Sequence, residues 1–150
     1  MCQQLSPLIA IVVAGAITSS VAAQDTVPLF SRHVVPIFSK LGCNAGACHG
    51  AVKGQNGFRL TLFGADPTLD HQRLVRELNG RRLNFNDPDA SLLLLKATGQ
   101  IPHEGGKRLH VASPEYRLLR RWMDAGAPMD RPEASAAPVL KAMPALHAVN

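Results

Sequence analysis

The chain has 150 residues, 46% apolar and 18% charged, with a formal net charge of +5. That length supplies one modest globular domain and not two. The basic residues are scattered from Arg32 to Lys141 with few rings between them, so the basic stripe and stacking aromatics of a nucleic-acid surface are not expected.

A dispersed positive surface suits encounter with an acidic protein partner instead. One Trp, one Tyr and five Phe make a thin core for this length. Composition alone fits a small helical domain with long loops, and it leaves room for apolar bulk from a buried macrocycle.

Residues 5–23 read LSPLIAIVVAGAITSSVAA, an apolar stretch with small residues at its end. Val21, Ala22 and Ala23 have the side chains a signal peptidase reads, so cleavage is expected after Ala23. No Lys or Arg precedes the stretch, which leaves an uncleaved weak anchor as the alternative. Its Gly, Ser and Thr make a stable membrane span the poorer reading. The expected division is a signal peptide at 1–23, a domain at 24–130, and an Ala- and Pro-rich tail or linker at 131–150. Export to the periplasm or another extracytoplasmic compartment leaves Cys43 and Cys48 in the mature chain. There, two nearby thiols rarely stay free: they form a disulfide, bind a metal or are alkylated by a cofactor.

Along the mature chain, Phe30, Val34, Phe38 and Leu41 recur at intervals of four, four and three, which predicts an amphipathic helix kinked at Pro36. The alternation in 58–63, FRLTLF, suits a short strand, paired locally in a β-hairpin insertion or merely extended. Three helix starts then share one device, a capping side chain followed by Pro. Asp66-Pro67 opens a helix to about Leu78, with Leu74, Val75 and Leu78 inward. Asp87-Pro88 opens one through Leu92–Leu95 to Ala97, stopped at Gly99. Ser113-Pro114 opens the last, with Leu118, Leu119, Trp122 and Met123 on one face, Arg117, Arg120 and Arg121 largely on the other, and Gly126 and Pro128 at its end. The expected class is all-α.

The segment Gly42-Cys43-Asn44-Ala45-Gly46-Ala47-Cys48-His49-Gly50 carries the chemistry. Two thioethers can fix a haem over such a loop, and a His directly after the second Cys can reach the iron from the same face. The spacer here is four residues where two is usual, and its small side chains let the extra length loop out. Two other readings stay open at this point. One is a Cys43–Cys48 disulfide closing a cofactor-free interaction domain. The other is a zinc site with a distant His, for which adjacent Cys48 and His49 are awkward ligands.

Four blocks in order, VPIFSKLGCNAGACHG, GFRLTLFGADP, GRRLNFNDPDASLLLLKATGQIPHEGGKRL and SPEYRLLRRWMDAGAP, resemble the planctomycete-type cytochrome c domains found at the start of large exported proteins. The resemblance spans about residues 27–128. It implies a class I cytochrome c-like fold around one covalently bound haem c, with thioethers at Cys43 and Cys48 and proximal iron ligation by His49. It also implies the first helix crossing the last, with Trp122 between them and the haem. In class I cytochromes a Met on the loop before the last helix completes the iron. Ile101 stands in that slot here, so the expected distal ligand is His103, in a Gly-bearing loop, with Met123 as the alternative. His110 reads as a surface residue and His71 as solvated.

Arg81, Arg82, Lys107 and Arg108 are candidate cations for the haem propionates, with Asn84 and Tyr116 as optional donors. No paired carboxylates, nucleophile–base pair or phosphate loop is present. The function expected is therefore electron carriage and not catalysis. The chain would exchange electrons with redox proteins, or serve as the haem module of a larger redox enzyme or sensor.

Overall fold

The computed structural model describes residues 26–130, so the signal segment 1–23 and the tail 131–150 lie outside the described residues. Within them the chain is helical, with four α-helices joined by tight loops, and no strand is present among the described residues.

The first helical segment begins as a π-helical turn, Phe30–Val34, and continues as α1, Val35–Lys40. Pro36 explains the change: it has no N–H to give to Arg32, so the turn before it is widened and Pro36 sits in the first turn of a fresh helix. Phe30, Val34, Val35, Ile37 and Phe38 are all buried. The start of the segment is capped from the far end of the domain. Asp130 accepts hydrogen bonds from the Phe30 and Ser31 amides and from the Ser31 hydroxyl.

Helix α2 runs Pro67–Val75, and Asp66 caps it by accepting from the Leu69 amide at 2.9 Å. It stops three residues short of the expected Leu78. Leu78 and Asn79 both take left-handed backbone angles (φ 53° and 57°), which turns Leu78 out to solvent. The expected helix from Asp87-Pro88 is broken in two, a 3-10 turn Pro88–Ala90 and then α3, Leu92–Ala97. Ser91 between them is extended, and its hydroxyl accepts from the Asn84 amide.

Helix α4, Pro114–Asp124, is capped by Ser113 accepting from Tyr116. Its Tyr116, Leu119, Trp122 and Met123 are buried, while Arg117, Arg120 and Arg121 are exposed. The first helical segment packs on this face, with the Phe30 and Trp122 rings 5.3 Å apart and the Trp122 indole donating to the Pro128 carbonyl.

The FRLTLF segment forms no strand. Gln55 and Phe58 make one isolated antiparallel bridge around Asn56-Gly57, and Leu62–Gly64 is a 3-10 turn with Phe63 in the left-handed region. Asp70 of α2 anchors the segment, accepting from the Thr61 amide and hydroxyl. The chain is extended as far as Thr61, and that anchor and the left-handed Phe63 turn it from Leu62 onward.

Candidate functional site: two facing imidazoles beside Cys43 and Cys48

The loop after α1 is closed by its own backbone. Cys43 N–H donates to the Phe38 carbonyl, Cys48 and Gly50 N–H both donate to the Ala45 carbonyl, and His49 N–H donates to the Cys43 carbonyl at 3.0 Å. Asn44, buried, ties the spacer to α1 through Ser39, and its carbonyl receives the Phe63 amide. Its Oδ1 has no partner. Gly50 is required by the fold of this loop, since a Cβ there would stand 2.0 Å from the Asn44 carbonyl oxygen.

Cys43 and Cys48 are half-buried and are not joined in a disulfide. Burial, with the Cys48 thiol next, pushes the Cys43 thiol up to about 11, against a lowering pull from Arg108. Cys43 is thus a neutral thiol at ordinary pH.

The structure brings the two expected imidazoles together. The His49 and His103 rings lie 6.3 Å apart between centroids and within 9° of parallel. Each ring presents its Nδ1 to a backbone carbonyl, His49 to Phe58 at 3.1 Å and His103 to Gly106 at 2.9 Å. A carbonyl can only accept, so each ring carries a proton on Nδ1, and neither Nε2 makes a hydrogen bond among the described residues. Burial lowers the His49 pKa, the Phe58 bond opposes that, and the nearby His103 and Arg82 charges reinforce it. His49 therefore stays neutral and available as a donor atom.

Each ring is positioned by its neighbours. Phe58 packs at 4.7 Å from the His49 ring, and the Arg82 guanidinium lies 4.4 Å from the Phe58 ring centre. On the other side, residues 98–108 loop back so that Arg108 and Leu109 N–H both donate to the Ala97 carbonyl. His103 opens a turn closed by Gly106 N–H, and its ring lies over Gly105, where a Cβ would come within 2.9 Å of it.

The remaining candidates fall elsewhere. Met123 is buried in the core beside Leu119 and Trp122, where a flexible thioether fills space. Arg82, expected as a propionate cation, is buried and already engaged: it donates to the Arg73 and Gly57 carbonyls and lies 3.5 Å from Glu77. Tyr116 donates to Asp89, and Asn84 Oδ1 accepts from the Asn86 and Asp87 amides. Arg81 is exposed, as are Lys107 and His110. Arg108 is exposed yet acts electrostatically on Cys43, with its Nε donating to the Gly105 carbonyl.

His71, expected to be solvated, instead bonds the Ala127 carbonyl through Nε2 and packs edge-on against Phe30. Its i, i+3 and i, i+4 neighbours in α2 hide this, because the contacts come from the two ends of the domain. Among the described residues no group of three or more His, Cys, Asp or Glu side chains converges to hold an ion, which is what a zinc site would need.

Comparison of the chain with protein-family models, with curated proteins and with solved structures returns no match.

Proposed function

We propose that this chain is an exported monohaem c-type cytochrome of class I-like fold, in which Cys43 and Cys48 would hold the haem covalently and His49 and His103 would bind its iron. The observation that carries the reading is the parallel pair of imidazoles, 6.3 Å apart between centroids and each held at Nδ1 by a backbone carbonyl, with His49 directly after one of two unpaired cysteines. A bound haem c would supply one-electron exchange between Fe(III) and Fe(II). The chain's own residues do the rest. Phe58 O and Gly106 O fix the tautomers and orient the rings, and hydrogen bonding of this kind makes the ring nitrogen a stronger donor. Arg108 acts on Cys43, which would be the thioether edge of the ring, opposite to the propionates. Imidazole in place of thioether sets a lower reduction potential than His/Met ligation.

Export rests on the apolar stretch at 5–23, and no helix among the described residues is long and apolar enough to cross a membrane. Electron carriage to a redox protein, or to a larger enzyme of which this is the haem module, follows from the same site.

The deciding experiment is an absorption spectrum of the exported protein, oxidised and dithionite-reduced, with its denatured mass. Sharp reduced bands and a mass raised by one haem are expected, both lost in Cys48→Ala. His103→Ala is expected to lose the low-spin spectrum while keeping the added mass. A colourless protein with both thiols oxidised, from a host that matures a control c-type cytochrome, overturns the reading in favour of a disulfide-closed binding domain.

A further inference from the structure

An open groove with a volume of about 560 Å³ lies between α2 and the chain around Phe58. Lys53, Gly57 and Arg59 line it from the loop, and Gln72, Arg73 and Glu77 from α2 and the turn beyond. Neither cysteine and neither facing imidazole borders it.

The charges around the groove are unbalanced. Glu77 lies against the buried Arg82 guanidinium, which offsets its charge. Arg59 donates to the Val52 carbonyl only. Arg73 is 8% exposed, yet its guanidinium makes no hydrogen bond or ion pair among the described residues. It interacts electrostatically with Asp70, whose two oxygens are taken by Thr61. Lys53, exposed, likewise has no partner among the described residues.

The Arg73 stem is packed, but none of its guanidinium nitrogens is a buried unpartnered atom, so the head meets solvent at the groove, where an anion can replace water as its partner. We propose that the groove is a binding site for a small multivalent anion. Its phosphate or carboxylate groups would be received by Arg73, Lys53 and Arg59 along the groove. The polar lining disfavours an apolar ligand, and guanidinium forks suit both oxyanions. The inference does not rest on the haem reading, and its failure would leave that reading untouched.

The test is calorimetric titration of the full exported protein with pyrophosphate and, separately, with citrate. One saturable site is expected for at least one of them, and the tighter probe tells phosphate chemistry from carboxylate chemistry. Arg73→Gln and Lys53→Gln are each expected to weaken binding about tenfold, the range for loss of one charge-assisted bond. Arg117→Gln, on α4 beside a different groove, is expected to leave binding unchanged. Should Arg73→Gln fail to fold, the exposed Lys53→Gln carries the test alone. No saturable binding of either probe overturns the proposal. So does binding that Arg117→Gln weakens as much as Lys53→Gln, which would mark diffuse attraction to a basic surface.

Discussion

Where the two ends of the domain meet, Phe30, Val34, Trp122 and Met123 are buried to 1% exposure or less, and the seam is held by packing. In the two loops that present His49 and His103 the rings are half exposed, and order comes from backbone hydrogen bonds and closely approached glycines. The difference separates the two jobs. The seam supplies folding free energy, and the loops aim two nitrogen donors without contributing much to it. A variant of the seam should therefore unfold the protein, and a variant of the loops should alter the site in a folded protein.

The largest expected effect is Trp122→Ala. Removing the biggest fully buried side chain forfeits its transfer energy and leaves a cavity against Phe30, a loss of about 3–5 kcal/mol. Urea unfolding followed by circular dichroism reads it. A loss under about 1 kcal/mol would mean that the seam is not the source of stability.

Next comes Asp130→Ala, which strips the cap from Phe30 and Ser31 and is expected to cost about 1–2 kcal/mol. Asp130→Asn should retain part of that, because one acceptor oxygen remains. Equal losses in the two variants would show that the carboxylate acts by charge at the helix start and not as an acceptor.

That cap marks where sequence reading stopped. The stripe Phe30, Val34, Phe38 and the caps at Asp66 and Ser113 were legible because a helix period and an N-cap act over three or four residues. Asp130 to Phe30 spans the whole domain and has no local signature. Leu78 was misjudged inward because nothing in the local pattern shows that 78 and 79 turn left-handed. The segment 58–63 pairs in no strand and is extended only as far as Thr61, because Asp70, later in the chain, holds Thr61 and the chain turns at Leu62–Gly64. At the site, the types and order of Cys43, Cys48, His49 and His103 were readable. The carbonyls of Phe58 and Gly106 that set the tautomers were not, since any residue supplies a carbonyl.

Alkaline pH offers a smaller lever on the seam. Burial first, and then the hydrogen bond to the Asp89 carboxylate, push the Tyr116 phenol up to about 12 from 10. The folded state therefore holds this proton where the unfolded chain releases it. The stability that the neutral phenol supplies is whole below pH 10 and is lost as pH rises through 12. Melting temperature should fall across that window, and less steeply in Tyr116→Phe. Identical slopes would remove Tyr116 as the cause.

The smallest effect on folding, and the sharpest test of the separation, is Gly105→Ala. Gly105 does not need a left-handed backbone, but a Cβ there would come 2.9 Å from His103 Cε1 and 3.2 Å from Nε2, so the ring must move. Gly106 is the converse: its φ is +70°, while a Cβ there would meet nothing within 4 Å. Gly106→Ala should therefore cost about 1 kcal/mol of backbone strain and leave the imidazole aimed as before. Gly105→Ala should cost less than about 0.5 kcal/mol if the exposed ring swings away freely, yet displace the donor facing His49. Paired measurements decide it: unfolding free energy for each variant and, for the haem proposed above, the absorption spectrum. Stability lost in one variant and spectrum altered in the other would show that the loop aims its ring independently of the fold. If both variants instead lose stability and spectrum in proportion, the His103 loop is part of the cooperative core, and the two regions are one.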